Sequence, residues 1–119
     1  MPFDPSSYVT GIRRQNEREA HEICRRAAAA RDEARELAGR VAAADPAVQR
    51  VYLFGSLAAG EPCRLDFDID LAIDGGDVYR AMDVTERSTF QVDVVELRRI
   101  APHSRRQIES GGILRIERR

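Results

Sequence analysis

The sequence predicts a small α/β domain of the α+β type, in which one long N-terminal helix precedes a region of short strands and helices. Residues from about Thr10 to Ala44 are rich in Ala, Arg and Glu, which are good helix formers. From Val48 onward the pattern changes to short apolar runs separated by Gly, Pro and Asp. Because 119 residues have room for one hydrophobic core, a single domain is expected.

The long helix is predicted by one narrow apolar stripe. The stripe recurs at alternating spacings of three and four residues and consists of Ala20, Ile23, Ala27, Ala30, Ala34, Leu37 and Val41. Two i,i+4 ion pairs, Glu22 with Arg26 and Glu36 with Arg40, are expected on its surface. Asp45-Pro46 ends the helix, because proline cannot continue it.

The length of this helix has a consequence for the domain. At 1.5 Å per residue it would be about 50 Å long, which is more than a domain of this size can cover. Its N-terminal half is therefore expected to project. We divide the chain into a helical segment, residues 1–46, and a core, residues 47–119.

Short elements follow in order after the helix. Three segments have the composition of strands, and they are Val51–Phe54, Asp68–Ile73 and Phe90–Leu97. Helices are expected near Leu57–Gly60, Asp77–Arg87 and Pro102–Ser110. A short apolar segment, Ile113-Leu114, follows the Gly111-Gly112 pair.

Composition narrows the class of function. A net charge of -1 and a pI near 6.1 disfavour bulk electrostatic capture of nucleic acid. Cys24 and Cys63 have no metal-ligand or disulfide spacing. No signal peptide and no membrane-length apolar segment are present, so a cytoplasmic protein without membrane contact is expected. The tail arginines Arg115, Arg118 and Arg119 are expected to be solvated.

The candidate site is built from three aspartates and a Gly-Ser turn. Asp68 and Asp70 face the same way on the second strand, since strand side chains alternate with a period of two. If the third strand lies beside the second, Asp93 joins them. Converging carboxylates repel one another and favour Mg²⁺ or Mn²⁺. Gly55-Ser56 would bring backbone N–H groups close to phosphates.

The register of the aspartate pair has two solutions. Asp66-Phe67-Asp68 also has the Asp-x-Asp pattern. We prefer Asp68 and Asp70, because Ile69 and Leu71 give that strand a continuous core face behind the carboxylates.

These motifs resemble those of the polymerase-beta type nucleotidyltransferase superfamily, and the small size is similar to its minimal nucleotidyltransferase (MNT) branch. The similarity covers roughly residues 48–114. The matching segments are Leu53-Phe54-Gly55-Ser56, Asp68-Ile69-Asp70-Leu71, Val92-Asp93-Val94-Val95 and Ile108-Glu109-Ser110-Gly111-Gly112.

The resemblance implies a small mixed sheet flanked by helices and a Mg²⁺-dependent transfer of a nucleoside monophosphate from an NTP to a hydroxyl. Asp68 and Asp70 would hold the metal. Asp93 would be a further ligand or the base that deprotonates the acceptor. Gly55 and Ser56 would bind the phosphates. MNT proteins often act as antitoxins that adenylylate a helical HEPN-type partner, so ATP and such a partner are expected.

The chain departs from the family pattern after the Gly-Ser turn. The family commonly has a basic residue there, whereas this chain has Leu57-Ala58-Ala59; Arg64 could substitute as a phosphate contact. Two alternatives therefore stay open: an MNT-fold partner-binding module without catalysis, and a nucleotidyltransferase that acts on a small molecule, with dimerisation supplying the acceptor pocket.

Overall fold

The computed structural model describes residues 5–60 and 64–118, with side chains from Gly11 onward. Four helices and four strands alternate along it: α1 (Pro5–Ala44), β1 (Arg50–Phe54), α2 (Ser56–Ala59), β2 (Ile69–Asp74), α3 (Val78–Thr85), β3 (Val92–Glu96), α4 (Pro102–Gly111) and β4 (Ile113–Glu117). The sheet order is β3-β2-β1-β4. β1 is antiparallel to β2 and β4, while β2 and β3 are parallel. This mixed sheet flanked by helices confirms the predicted fold class.

The apolar stripe of α1 forms much of the core. The predicted residues from Ile23 to Val41 are buried, whereas Ala20 is exposed together with every other side chain from Gly11 to His21. The first half of the helix therefore extends beyond the sheet, and the molecule measures 70 Å along its longest axis. None of the helices in the described part of the chain combines the length and hydropathy that a bilayer crossing needs.

One of the two predicted surface ion pairs of α1 is wrong. Glu36 pairs with Arg40, as expected, but Glu22 pairs with Arg25 instead of Arg26. The guanidinium of Arg26 lies over the ring of Phe90, 5.0 Å from its centroid. A cation above an aromatic face is attracted by the ring quadrupole, and this contact competes with an exposed ion pair of small value.

The two faces of the sheet have different covers. Val51, Leu53 and Leu71 face α1 in the main core cluster, as the period-two alternation predicts. Tyr52, Phe54 and Ala72 face the other way and pack with residues of the α4 region. The positions of the candidate aspartates belong to this second face, because Asp70 alternates with Leu71.

β4 extends the sheet beyond what the sequence predicts. The expected short segment Ile113-Leu114 is the start of a five-residue strand that pairs with β1. The expectation of a solvated tail is wrong for Arg118, whose guanidinium donates hydrogen bonds to the carbonyls of Ala42 and Asp45 at the end of α1. Arg115 is partly buried against α1; Arg119 and Cys63 lie outside the described residues.

Candidate active site

Three carboxylates meet at one end of the parallel strand pair. Asp70 of β2 and Asp93 of β3 are direct partners in the register. Asp68 stands two residues before Asp70, just ahead of β2. The third strand therefore lies beside the second, which is the condition under which the sequence analysis has Asp93 joining Asp68 and Asp70.

The pKa of Asp70 reflects the neighbouring carboxylates as well as burial. Burial, followed by the neighbouring carboxylates of Asp93 and Asp68, raises the pKa of Asp70 to about 6. Within the described residues, no arginine lies at ion-pair distance from Asp68, Asp70 or Asp93. No described side chain thus supplies a counter-charge to the negative charge of this group.

Asp74, at the other end of β2, has the opposite surroundings. Its carboxylate accepts a hydrogen bond from Arg98 Nε at 2.8 Å and one from Arg50 Nη1 at 3.3 Å. Both contacts are ion pairs to a side chain that is only 8% exposed. An acid that has a structural role in this sheet is compensated, and the three converging acids are not.

Gly55 brings the backbone directly against Asp70. Its φ is +77°, in the region that favours glycine. A Cβ atom at this position would overlap the Oδ2 atom of Asp70 and lie 3.2 Å from its Cγ. The carbonyl of Gly55 accepts the first helical bonds from Ala58 and Ala59, so Ser56 begins α2 beside the carboxylates. Only glycine allows the backbone of this turn to lie so close to the carboxylate of Asp70.

Arg31 of α1 is a contact that the sequence analysis missed. Its Nε donates to the carbonyl of Leu57 at 3.2 Å and its Nη2 to that of Gly60 at 2.7 Å. These bonds satisfy carbonyls at the end of α2, which a four-residue helix cannot pair internally. Arg31 is 26 residues from Leu57, and no local pattern in the sequence signals such a contact.

Arg64, the predicted substitute phosphate contact, lies on the surface. Its Nε is 3.0 Å from Asp66 Oδ1, and both side chains are largely exposed. The alternative register would use Asp66, which this ion pair turns to solvent. Asp70, in contrast, lies directly opposite Asp93. The geometry therefore brings together Asp68, Asp70, Asp93 and Gly55, and leaves Arg64 apart.

The donor set fits a hard divalent cation. Three carboxylates without counter-charges supply the oxygen ligands that Mg²⁺ and Mn²⁺ prefer. Across the described ranges, no group of three acidic, histidine or cysteine side chains is already arranged around a common metal position. Asp93 is exposed, so its side chain is free to adjust.

A family model described as "Polymerase beta, Nucleotidyltransferase" matches residues 39–119. The chain belongs to the polymerase beta nucleotidyltransferase family. The matched range contains all the candidate site residues, and the family expected from the motifs is confirmed. A search among curated proteins gives no match.

A solved structure supports the fold of this nucleotidyltransferase domain. It is the crystal structure of a mutant of the toxin–antitoxin pair MntA-HpeT, with a TM-score of 0.55 and 23% sequence identity. The match covers 67% of this chain and 70% of the other. At this identity the likeness concerns the fold, and it agrees with the minimal nucleotidyltransferase domain expected from the sequence.

Proposed function

We propose that this nucleotidyltransferase moves AMP from ATP to a hydroxyl of a partner protein. The observation that carries the proposal is the convergence of Asp68, Asp70 and Asp93, uncompensated, against the backbone of Gly55. Phosphoryl chemistry needs acids that bind a divalent cation beside a loop that admits phosphates.

Each residue has a role in the proposed reaction. Asp68 and Asp70 would hold Mg²⁺ or Mn²⁺, with Asp93 as a further ligand or as the base. The cation, when bound, neutralises charge on the phosphates and the developing transition state. Gly55 and Ser56 would bind the phosphates. Arg64 would also contact the phosphates, once its ion pair with Asp66 is broken.

The bond changes follow an in-line displacement. The acceptor oxygen forms a bond to the α-phosphorus, and the bond from that phosphorus to the bridging oxygen breaks. Pyrophosphate leaves with the electron pair. The acceptor proton passes to solvent, or to the carboxylate of Asp93 where that group acts as the base.

A protein acceptor is supported by two observations. The similar structure is that of a toxin–antitoxin pair. The side chains from Gly11 to His21 are all exposed on the projecting helix, which leaves a long surface for a partner. We therefore propose a small helical HEPN-type protein as the acceptor, tyrosine as its modified residue and the cytoplasm as the location. Within the helical segment, residues 1–46, the exposed side chains from Gly11 to His21 would carry partner contact, and residues 47–119 would carry the chemistry.

A second candidate is a partner-binding module that keeps the fold without catalysis. The observation that favours it is the apolar Leu57-Ala58-Ala59 segment, where the family's usual basic residue is missing. A small-molecule acceptor is the third candidate and would require a pocket shared between two copies of the chain.

The test is label transfer from α-³²P-ATP with Mg²⁺ in lysate of the source cell. We expect the wild-type protein to label one acceptor band and the Asp68→Asn/Asp70→Asn variant to label none. Asp66→Asn is the matched control, because Asp66 belongs to the alternative register and is exposed. It should label the band normally.

Two other results would contradict the proposal. Absence of label from a folded wild-type protein with all four NTPs would exclude nucleotidyl transfer to protein. Loss of label in Asp66→Asn, with activity kept in Asp70→Asn, would shift the metal site to the alternative register.

A further inference from the structure

A cavity of about 470 Å³ adjoins the Gly55-Ser56 turn on the α4 side of the sheet. Its floor is formed by small residues of α2 and of the end of α4, namely Ala58, Ala59, Gly111 and Gly112. Phe54 and Ile108 add apolar surface. The volume lies in the range of about 300–1,000 Å³ that is typical of small-molecule sites.

The cavity is continuous with the candidate active site. Gly55 lines it, and the same glycine lies against the carboxylate of Asp70. Phe54, another lining residue, is the register partner of Asp70 on β1. A molecule whose phosphates occupy the Gly55-Ser56 turn therefore has this cavity on one side and the three aspartates on the other.

The residues that line the cavity indicate which part of the substrate would bind there. Among the described residues, none that lines the cavity is charged, so a phosphate would be poorly held there. Two polar side chains, Ser104 and Gln107, stand at its edge and form no hydrogen bond to the described part of the chain. A mostly apolar site with a few polar groups suits a flat heteroaromatic ring with donors and acceptors on its edge.

We infer that this cavity seats the nucleobase of the NTP, and that Gln107 recognises the edge of an adenine ring. The inference rests on the proposed nucleotidyl transfer. A carboxamide has one acceptor and two donors, and it pairs with adenine through two hydrogen bonds in a geometry known from protein–DNA contacts. Ala59 is a small lining residue and leaves room for the ring.

Gly111→Leu tests the site. Gly111 lines the cavity, and no atom of the described residues lies within 4 Å of a Cβ built on it, so a larger side chain has space there. The helix should keep its fold, because leucine is the better helix former. Gly39→Leu is the matched control, since Gly39 also has open space around its Cβ but lies on α1.

Binding is measured by calorimetry with ATP and with inorganic triphosphate, both with Mg²⁺. We expect Gly111→Leu to weaken ATP binding at least tenfold and to leave triphosphate binding unchanged. Gly39→Leu should bind both like the wild type. Equal ATP affinity in Gly111→Leu and wild type would overturn the inference. If that variant also lost label transfer to protein, the cavity would belong to the acceptor side chain instead.

The role of Gln107 has a separate readout. The wild type should prefer ATP over GTP, CTP and UTP, and Gln107→Leu should lose most of this preference, because the hydrogen bonds to the base edge are gone. An unchanged preference would overturn recognition by Gln107.

Failure of the proposed function would give a different binding result from failure of the nucleobase site alone. A wild-type protein that binds neither ATP nor triphosphate would exclude nucleotide chemistry and the nucleobase site together. Normal binding with no effect of Gly111→Leu would remove only the nucleobase site.

Discussion

Asp70 and Asp74 lie on the same strand and on the same face of the sheet, but their carboxylates have opposite electrostatic surroundings. Arg50 and Arg98 compensate Asp74, which secures the end of β2. Burial, followed by the neighbouring carboxylates of Asp93 and Asp68, raises the pKa of Asp70 to about 6. The cost of three adjacent charges is typical of a site whose geometry serves a ligand.

Asp70→Asn is expected to stabilise the ligand-free protein near neutral pH. A raised carboxyl pKa means that the folded state holds the proton more tightly than the unfolded chain does. The resulting penalty is absent below the ordinary value of 3.8 and complete above about 6. Because the carboxyl is partly exposed and screened, we expect a gain of about 1 kcal/mol.

Denaturant unfolding of both proteins near pH 8 and below pH 4 measures this effect. The stability difference should be present at the higher pH and vanish at the lower one. A variant that is less stable than the wild type at the higher pH would show that Asp70 is compensated by a group in the folded state.

Gly55→Ala should reduce transfer activity by more than its effect on stability explains. The added Cβ overlaps the carboxylate of Asp70 at a positive φ. We expect a stability loss of about 2 kcal/mol from the strained backbone. Label transfer should fall about 100-fold, since a small misplacement of a reacting group is costly.

Gly60→Ala controls for backbone strain. Gly60 also has a positive φ, but no atom of the residues that the structure describes lies within 4 Å of its Cβ. It should lose stability and keep most of its transfer activity. Equal losses of activity in the two variants would mean that contact with Asp70 is unimportant.

At the scale of elements, α2 is held against α1 by the burial of Leu57 in the main core cluster and by hydrogen bonds from Arg31. Arg31 donates hydrogen bonds to the carbonyls of Leu57 and Gly60, and α2 starts at the Gly55-Ser56 turn. The orientation of a four-residue helix cannot depend on its internal hydrogen bonds alone. Arg31 therefore acts as a positioning residue for the Gly55-Ser56 turn.

Arg31→Met should weaken triphosphate binding about three- to tenfold by loosening α2, and lower stability by about 1 kcal/mol. Methionine keeps most of the apolar stem and removes the donors. Arg35→Met, one turn further along α1, is the control and should bind triphosphate normally. Calorimetry and thermal unfolding supply the two readouts. Normal triphosphate binding in Arg31→Met would show that α2 keeps its place unaided.

Elements with local signals could be predicted from the sequence. The apolar stripe of α1, the alternation of apolar and polar residues in β2 and the turn at Gly55 are each apparent within a few neighbouring residues of the sequence. The positions of the candidate aspartates along the chain could therefore be predicted. Long-range contacts were not. Arg31 acts across 26 residues and Arg118 across 76. The extent of β4 depends on pairing with β1, which a short apolar segment does not reveal.

At the scale of the whole molecule, α1 has two halves with different surroundings. Burial begins at Ile23, and the side chains from Gly11 to His21 are exposed. The buried half contacts α3 and three strands. The fold therefore draws its stability from the second half, which leaves the first half available to a partner.

Deletion of residues 1–19 should leave the melting temperature within about 3 °C of the full chain, since the side chains from Gly11 to Glu19 are exposed and their loss removes little buried apolar surface. Label transfer to the protein acceptor should fall strongly, whereas ATP binding should be unchanged. Calorimetry and the labelling assay separate the two effects. A large drop in melting temperature would show that the exposed half stabilises the domain, and unchanged labelling would place partner contact elsewhere.

The two edge strands of the sheet have a consequence for its behaviour in concentrated solution. β3 and β4 are the outer strands, and each carries charged residues, Asp93 and Glu96 on one and Arg115 and Glu117 on the other. Charges on edge strands discourage sheets of neighbouring molecules from joining into aggregates. Asp93 thus also protects solubility, and a variant such as Asp93→Val would precipitate as well as lose activity. An inactive form is better made as Asp93→Asn, which keeps that edge polar.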